Sequence, residues 1–234
     1  MSQQQSSKTA EGGAREGDRR RTILRAAIDV FARKGYHGCR IADVAKEAGV
    51  AYGLVYHYFK NKDELLETVF EACWSGFFTR VSAIAHGEGT LTLKLQRITD
   101  VVFEAFRVDP RAVKVLVVEV ARSPVGRVNR QTAFADTIQL CSEMLTRAQA
   151  AGELRADVEP RLAAMLLFGT IEMGFTALVM GVVDSKDPDK LEQAKQQIAF
   201  SFLQGVLTEG AAAEVSWKKE REKSATRPKV AKRS

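Results

Sequence analysis

Residues 35–66, with the sequence GYHGCRIADVAKEAGVAYGLVYHYFKNKDELL, constrain the fold of this chain more than any other stretch. The pattern predicts a helix over about 41–47, a tight turn at Gly49, a very short helix over about 52–58, and a further helix that Asn61 caps. Short helices joined by a glycine-containing turn are typical of a helix-turn-helix. The sequence therefore predicts a small three-helix domain near the start of the chain.

The second of these short helices is rich in aromatic and basic side chains. Within eleven residues, and apart from Phe59, the chain places four rings and two lysines: Tyr52, Tyr56, His57, Tyr58, Lys60 and Lys62. Such a set favours a partner that stacks on the rings and neutralises the lysines. The DNA major groove admits one helix, and a helix-turn-helix places its second helix there. We therefore expect residues 52–62 to bind double-stranded DNA.

The charge of the chain is unevenly distributed. Residues 19–62 hold ten Lys/Arg against three Asp/Glu, residues 63–215 hold fifteen against twenty-one, and residues 216–234 hold eight against two. A basic module on an acidic body suits a polyanion bound at one end only. The expected regions are a disordered arm over 1–18, a helix-turn-helix domain over 19–62, a ligand-binding and dimerisation domain over 63–210, and a basic tail over 211–234.

The spacing of the cysteines and the absence of known catalytic motifs limit the classes of protein to which this chain can belong. Cys39, Cys73 and Cys141 are far apart and form no CxxC pair, which argues for a reducing compartment and against a structural zinc site. No nucleotide-binding, hydrolase or zinc-peptidase motif occurs in the sequence, so we expect no enzyme, no metal and no cofactor. Residues 1–18 lack an apolar stretch, so we expect no signal peptide and a cytoplasmic protein.

The larger part of the chain reads as helical throughout. We expect an all-α protein of about nine helices, with a helical bundle after the helix-turn-helix domain. Val115 to Val120 are β-branched enough to suit a strand, but no hairpin partner follows, so helix is favoured. Residues 162–183 are long and apolar enough to span a bilayer. Because Glu172 lies near their middle, we expect instead a buried helix that the core and a dimer interface share.

The motif of residues 35–66 resembles the N-terminal domain of TetR-type bacterial regulators. The matching features are Gly35-Tyr36, Ile41, Val44-Ala45, Ala48-Gly49-Val50, Gly53, Tyr56, Tyr58-Phe59, Lys62 and Glu64-Leu65. The resemblance implies an all-helical homodimeric repressor that binds a palindrome-like operator. It also implies a body in which a small molecule acts through the fourth helix on the spacing of two DNA-binding heads.

The resemblance assigns roles to individual residues of the head. Base edges and nearby backbone would be met by Ala51, Tyr52, Gly53, Tyr56 and His57. Phosphates would be held by Tyr36, Arg40, Tyr58, Lys60 and Lys62. For Tyr56 and His57, packing in the head and a surface position without a role stay open, and Phe59 is expected in the core. The chain departs from the family where Cys39-Arg40 and Ala51 replace the usual Ser or Thr before a helix, which loses an N-cap at each place.

The second half of the chain resembles a subgroup more loosely. The stretch GELRADVEPRLAAMLLFGTIEMGFTALVMG is similar to the dimerisation region of FadR-type members, which implies a fatty acyl-CoA as the effector. A hydrophobic drug-like effector stays open, and an effector-free DNA-architectural protein is the remote alternative. Candidate ligand-binding residues are Trp74, Phe77, Phe78, Phe103, Phe106, Arg107, Arg122, Phe134, Met165 and Phe168. The rings could instead be plain core, and the arginines a solvated helix face.

Overall fold

The computed structural model describes residues 2–120 and 127–210, and it describes side chains over 15–119 and 129–210. The α-helices are α1 (Ser2–Gly38), α2 (Ile41–Ala48), α3 (Tyr52–Tyr58), α4 (Lys62–His86), α5 (Leu91–Val108), α6 (Pro110–Lys114), α7 (Arg127–Ala150), α8 (Pro160–Val179) and α9 (Pro188–Val206), and Val115–Val120 form a π-helix directly after α6. The described ranges contain no strand, only an isolated bridge between Leu154 and Leu207. The predicted all-α fold is therefore confirmed.

The first helix begins earlier than the sequence suggests. The expectation was a disordered arm over 1–18 and a helix from Arg19, whereas α1 begins at Ser2. Residues 2–18 contain no proline, so none of them lacks the backbone N–H that a helix needs, although three of them are glycine and three are serine. Extending an existing helix adds one hydrogen bond per residue without a new nucleus. The helix of residues 19–34 can therefore continue backwards through residues 2–18.

Local signals account for several helix starts. Asp109, Glu159 and Asp187 each precede a proline that occupies the first helical position of α6, α8 and α9. Each carboxylate accepts hydrogen bonds from two of the backbone N–H groups that the helix leaves unpaired. Proline fits the first position because its missing N–H has no intrahelical partner there. These three acid-proline pairs therefore fix where α6, α8 and α9 begin.

The chain divides into two compact units. One comprises Met1–Arg80 and Phe103–Phe134, and the other comprises Val81–Val102 and Ala135–Ser234. The first unit joins the helix-turn-helix to α6 and the π-helix, because Val115 lies in the same buried cluster as the apolar residues of α1 to α4. The predicted border between the DNA-binding domain and the ligand-binding domain, at residues 62 and 63, is a division by function. It stays a prediction. The expected basic tail over 211–234 lies outside the described residues.

Helix α8 has two different faces. Its buried residues are Ala163, Ala164, Leu167, Gly174 and Leu178, and its exposed apolar residues are Leu162, Met165, Leu166 and Met173. A Cβ on Gly174 would lie 2.7 Å from Ile198 Cδ1, so the glycine allows α9 to pack closely. The helix is long and apolar enough to cross a bilayer. Only one face is buried within the chain, which leaves the other available to a second copy.

Candidate nucleic-acid interface

Helix α3 presents two tyrosines to solvent. Tyr52 is 53% exposed and Tyr56 is 44% exposed. They lie four residues apart, one above the other on the same helix face. Their ring centroids are 5.1 Å apart in an edge-on arrangement, and the Tyr52 hydroxyl donates to the Tyr56 hydroxyl over 3.2 Å. Because Tyr56 accepts this hydrogen bond, its own O–H is left to donate to a base edge or a phosphate.

The opposite side of α3 anchors the helix in the core. Val55 and Phe59 are buried in the cluster that also contains Ile23, Phe31 and Val44. The expectation that Phe59 packs within the head is confirmed. Because one side of α3 supplies the core, the exposed tyrosines are not needed for packing. They are held at fixed positions on a rigid support, which suits recognition of a partner.

Ala51 and Gly53 place no large side chain at the start of α3. Ala51 occupies the N-cap with extended backbone and makes no side-chain cap, as the sequence indicates. Gly53 lies inside the helix, where a Cβ would meet no atom within 4 Å. The fold of the chain therefore does not require a glycine at this position. Since glycine weakens a helix interior, close approach of a partner backbone is the physical reason that fits its presence.

Replacing Gly53 with alanine separates folding from binding. Gly53→Ala is expected to raise the free energy of unfolding by about 0.5–1 kcal/mol, because alanine loses less backbone entropy. It is expected to weaken operator binding by about 1–3 kcal/mol, as for the loss of one good base contact. Urea unfolding and fluorescence anisotropy measure the two effects. Gly76→Ala, in an equally open position of α4, is the matched control and should leave operator binding unchanged; equal binding by both variants would contradict the close approach.

The end of α3 carries His57, Tyr58 and Lys60. The His57 side chain is exposed, and its Nε2 lies 3.8 Å from a carboxylate oxygen of Glu16 on α1. Tyr58 is half-buried, with its ring 5.1 Å from the His57 ring, and Lys60 is exposed. These positions extend the exposed face of α3. The contact with Glu16 also places the early part of α1 beside the same surface.

The start of α4 follows the predicted cap. The Asn61 side chain accepts from the Glu64 N–H at 2.8 Å, and the Glu64 carboxylate accepts from the Lys60 N–H at 2.7 Å. The reciprocal pattern predicted for Asn61 and Glu64 is therefore present, with Glu64 reaching one residue further back. These bonds fix the turn after α3 and with it the direction of the Lys60 backbone.

Tyr36 and Lys62 are committed to the fold in this structure. Tyr36 is buried, and its hydroxyl donates to the Asp63 carboxylate. The pKa of Tyr36 is raised, mainly because the side chain is buried and secondly because of this hydrogen bond. The Lys62 Nζ donates to the carbonyl oxygens of Tyr36 at 2.7 Å and Cys39 at 3.1 Å, and it lies 4.2 Å from the centroid of the Tyr36 ring.

These contacts bear on the phosphate-binding role expected for Tyr36 and Lys62. Both were expected to hold phosphates, but the Tyr36 hydroxyl is turned inward and two of the three Lys62 N–H donors are used. Together they brace the turn between α1 and α2. A phosphate contact by the third N–H of Lys62 stays a prediction. Sequence spacing alone could not show that the partner of Tyr36 is Asp63, because the two meet only through packing of α1 on α4.

Arg40 stands exposed at the N-cap of α2. Arg40 provides no side-chain cap, as expected for Cys39-Arg40, while the Asp43 carboxylate accepts from the Arg40 N–H at 3.0 Å. A hydrogen bond from Lys34 at 2.7 Å holds the pKa of Asp43 below its usual value, so the carboxylate stays charged. The Arg40 side chain is left on the surface, as a phosphate contact would require.

The candidate ligand-binding residues fall into separate groups. In the first unit lie Trp74, Phe77, Phe78, Phe103, Phe106, Arg107 and Phe134; in the second lie Met165 and Phe168; Arg122 lies outside the described residues. Trp74 stacks on Phe70 with ring centroids 5.6 Å apart, which favours a packing role for that ring. Arg107 forms a paired contact with Glu104 at 2.9 Å on an exposed surface. A ligand role for these residues stays a prediction.

The helix-turn-helix region matches a known protein family. A family model described as bacterial regulatory proteins, tetR family, matches residues 23–69. The chain is 30% identical over 159 residues to the fatty acid metabolism regulator protein of Bacillus subtilis strain 168, a match that covers 68% of this chain and 82% of that protein. The similarity therefore extends well past the helix-turn-helix.

Solved structures agree with the sequence comparison. The crystal structure of a transcriptional regulator FadR from Bacillus subtilis in complex with stearoyl-CoA gives a TM-score of 0.69 at 27% identity, and covers 79% of this chain and 97% of that one. SmeT, the repressor of the Stenotrophomonas maltophilia multidrug efflux pump SmeDEF, gives a TM-score of 0.65 at 23% identity, and covers 82% of this chain and 92% of that one. The second likeness concerns the fold alone.

Proposed function

Since the chain belongs to the TetR family of bacterial regulatory proteins, we propose that it is a homodimeric repressor that a long-chain fatty acyl-CoA releases from its operator. The observation that carries this proposal is the match to the Bacillus subtilis fatty acid metabolism regulator over 82% of that protein. A relative of this kind has been crystallised with stearoyl-CoA. We place the protein in the cytoplasm, acting on genes of fatty-acid metabolism as a regulator and not as an enzyme.

The DNA-binding part of the proposal rests on α3. Its exposed face carries Tyr52, Gly53, Tyr56 and His57, and Arg40 and Lys60 lie exposed on either side of the helix in sequence. Tyrosine hydroxyls and histidine can hydrogen-bond base edges, and the basic side chains can hold phosphates without reading sequence. Dimerisation would be provided by the exposed apolar face of α8. Two copies would then read the two halves of a palindrome-like site.

The effector class rests on the comparison with the fatty acid regulators. A long acyl chain needs an apolar site, and the aromatic candidates of the body are chemically suited to one. The likeness in fold to SmeT keeps a drug-like hydrophobic effector as the second candidate. Release requires that the effector bind the DNA-incompetent arrangement more tightly than the competent one.

Thermal unfolding of the purified protein with acyl-CoAs of rising chain length tests the effector. At about 100 times Kd, a specific ligand is expected to add about 2.7 kcal/mol, or roughly 5–11 °C in Tm. The shift should saturate and peak at one acyl length. Free CoA, free fatty acids and cationic dyes are the controls. Shifts produced only by dyes would favour the drug-like effector, and an equal shift with free fatty acid would contradict recognition of the CoA ester.

A further inference from the structure

Three polar contacts join the segment after α5 to α1. Arg111 pairs with Asp29 at 2.7 Å, and the Lys114 Nζ donates to the Ala32 carbonyl at 2.8 Å. The third contact is made by the π-helix, where the Glu119 carboxylate accepts from the Tyr36 N–H at 2.7 Å. All of these residues belong to the first compact unit. The contacted residues of α1 lie in order towards its C-terminal end. Glu119 therefore contacts the part of α1 that is closest in sequence to α2 and α3.

The backbone at Gly35 makes the contact with Glu119 possible. Gly35 has φ 72° and ψ 166°, a conformation that is essentially restricted to glycine. This break takes the Tyr36 N–H out of the regular helical hydrogen-bond ladder. A Cβ at position 35 would lie 3.4 Å from Glu119 Oε1, so the absent side chain also leaves room for the carboxylate. A partly buried N–H without another acceptor costs free energy, which Glu119 offsets.

Tyr36 connects this contact to the DNA-binding head. Its carbonyl accepts from Lys62 and its hydroxyl donates to Asp63, both at the start of α4. Its N–H is held by Glu119 from the π-helix. The turn that leads into α2 is therefore fixed from two sides. Because α2 leads through Gly49 directly to α3, a change at Glu119 acts on the turn that positions the exposed face of α3.

Val115–Val120 form a π-helix in this structure, and the regular alternative for the same segment is an α-helix. A π-helix contains about one more residue per turn than an α-helix. Such segments are rare in proteins, and those that occur are often found at functional sites. Conversion of Val115–Val120 to an α-helix would shift the register by one residue, which turns a side chain by about 100° around the axis. Glu119 lies near the end of this segment. The register shift would carry its carboxylate away from the Tyr36 N–H.

We propose that Glu119 is the positioning residue through which the effector acts on the DNA-binding head. In the DNA-competent state the π-helix holds Glu119 against Tyr36, and the effector favours a state in which this contact is broken. The inference rests on the proposed function, since it names the regulation of the same DNA-binding site. Glu119 itself touches neither DNA nor effector in this scheme.

The test compares Glu119→Ala, Glu119→Gln and wild type as full-length protein. Glu119→Ala is expected to speed hydrogen exchange of the Tyr36 amide by about tenfold or more, because the N–H loses its hydrogen bond to a charged carboxylate. It is also expected to reduce the factor by which stearoyl-CoA weakens operator binding, typically about 5–150 in allosteric proteins, to below about 3. Glu119→Gln keeps a side-chain carbonyl acceptor and should restore part of both. Glu143→Gln removes a charge from an exposed face of α7 in the other unit and serves as the control.

Two readouts separate this inference from the proposed function. The operator is first recovered by selection from a random duplex library. If stearoyl-CoA does not weaken operator binding by wild type, the proposed effector fails, while Tyr36 exchange and operator affinity still report whether Glu119 holds the head. Unchanged Tyr36 exchange in Glu119→Ala overturns the positioning role. A coupling factor equal to that of wild type in folded Glu119→Ala overturns the regulatory role.

Discussion

Replacing Leu166 with glutamate is expected to convert the protein to a monomer and to weaken operator binding by at least ~100-fold. Leu166 is 59% exposed on the apolar face of α8, beside Leu162 and Met165. An apolar face of this kind on one chain marks a surface that a partner covers. A carboxylate buried there without a counter-charge costs about 3–5 kcal/mol. A monomer also loses the second half-site of a palindromic operator.

Analytical ultracentrifugation and fluorescence anisotropy measure the two effects of Leu166→Glu. Val108→Glu is the matched control, because Val108 is 71% exposed and lies at the end of α5, away from α8 in sequence. The control should remain dimeric and should bind the operator as wild type does. A dimeric Leu166→Glu with unchanged operator affinity would show that the exposed face of α8 serves another purpose.

Removing the Phe59 ring is expected to unfold the head. Phe59 is 1% exposed, and truncation of a buried phenylalanine to alanine costs about 3–5 kcal/mol. Its neighbours in the cluster belong to α1, α2 and α4, so the loss affects the whole helix-turn-helix. Urea unfolding followed by circular dichroism measures the change, and operator binding should be lost with it.

Tyr56→Ala provides the comparison for Phe59→Ala. Tyr56 lies three residues earlier, on α3, and its ring is on the exposed face of that helix. Surface substitutions usually change stability by less than about 0.5 kcal/mol. We expect Tyr56→Ala to unfold like wild type and to lose operator affinity. Similar losses of stability in both variants would show that the exposed tyrosines also carry the fold.

The parts of the site that the sequence predicts correctly are those fixed by near neighbours. The turn at Gly49, the cap at Asn61 and the two-sided character of α3 depend on residues within one or two helical turns. Periodicity and capping rules describe such contacts directly. The same rules account for the buried position of Phe59.

The parts that the sequence does not predict depend on distant partners. Tyr36 and Glu119 are separated by 83 residues, and no local pattern indicates that the carboxylate of one meets the N–H of the other. The burial of Tyr36 against Asp63 likewise follows from the packing of α1 on α4. The π-helix arises in a β-branched segment that favours no regular helix strongly. The ligand residues share no local signal, because apolar rings line cavities and cores alike.

The two-sided construction of α3 has a consequence for how such regulators diverge. Val55 and Phe59 maintain the head, while Tyr52, Gly53 and Tyr56 face outward and contribute little to its packing. Substitutions at positions with no shared partners act nearly independently. After gene duplication, a descendant can therefore acquire new target genes by exchanging the outward residues, without passing through an intermediate that fails to fold.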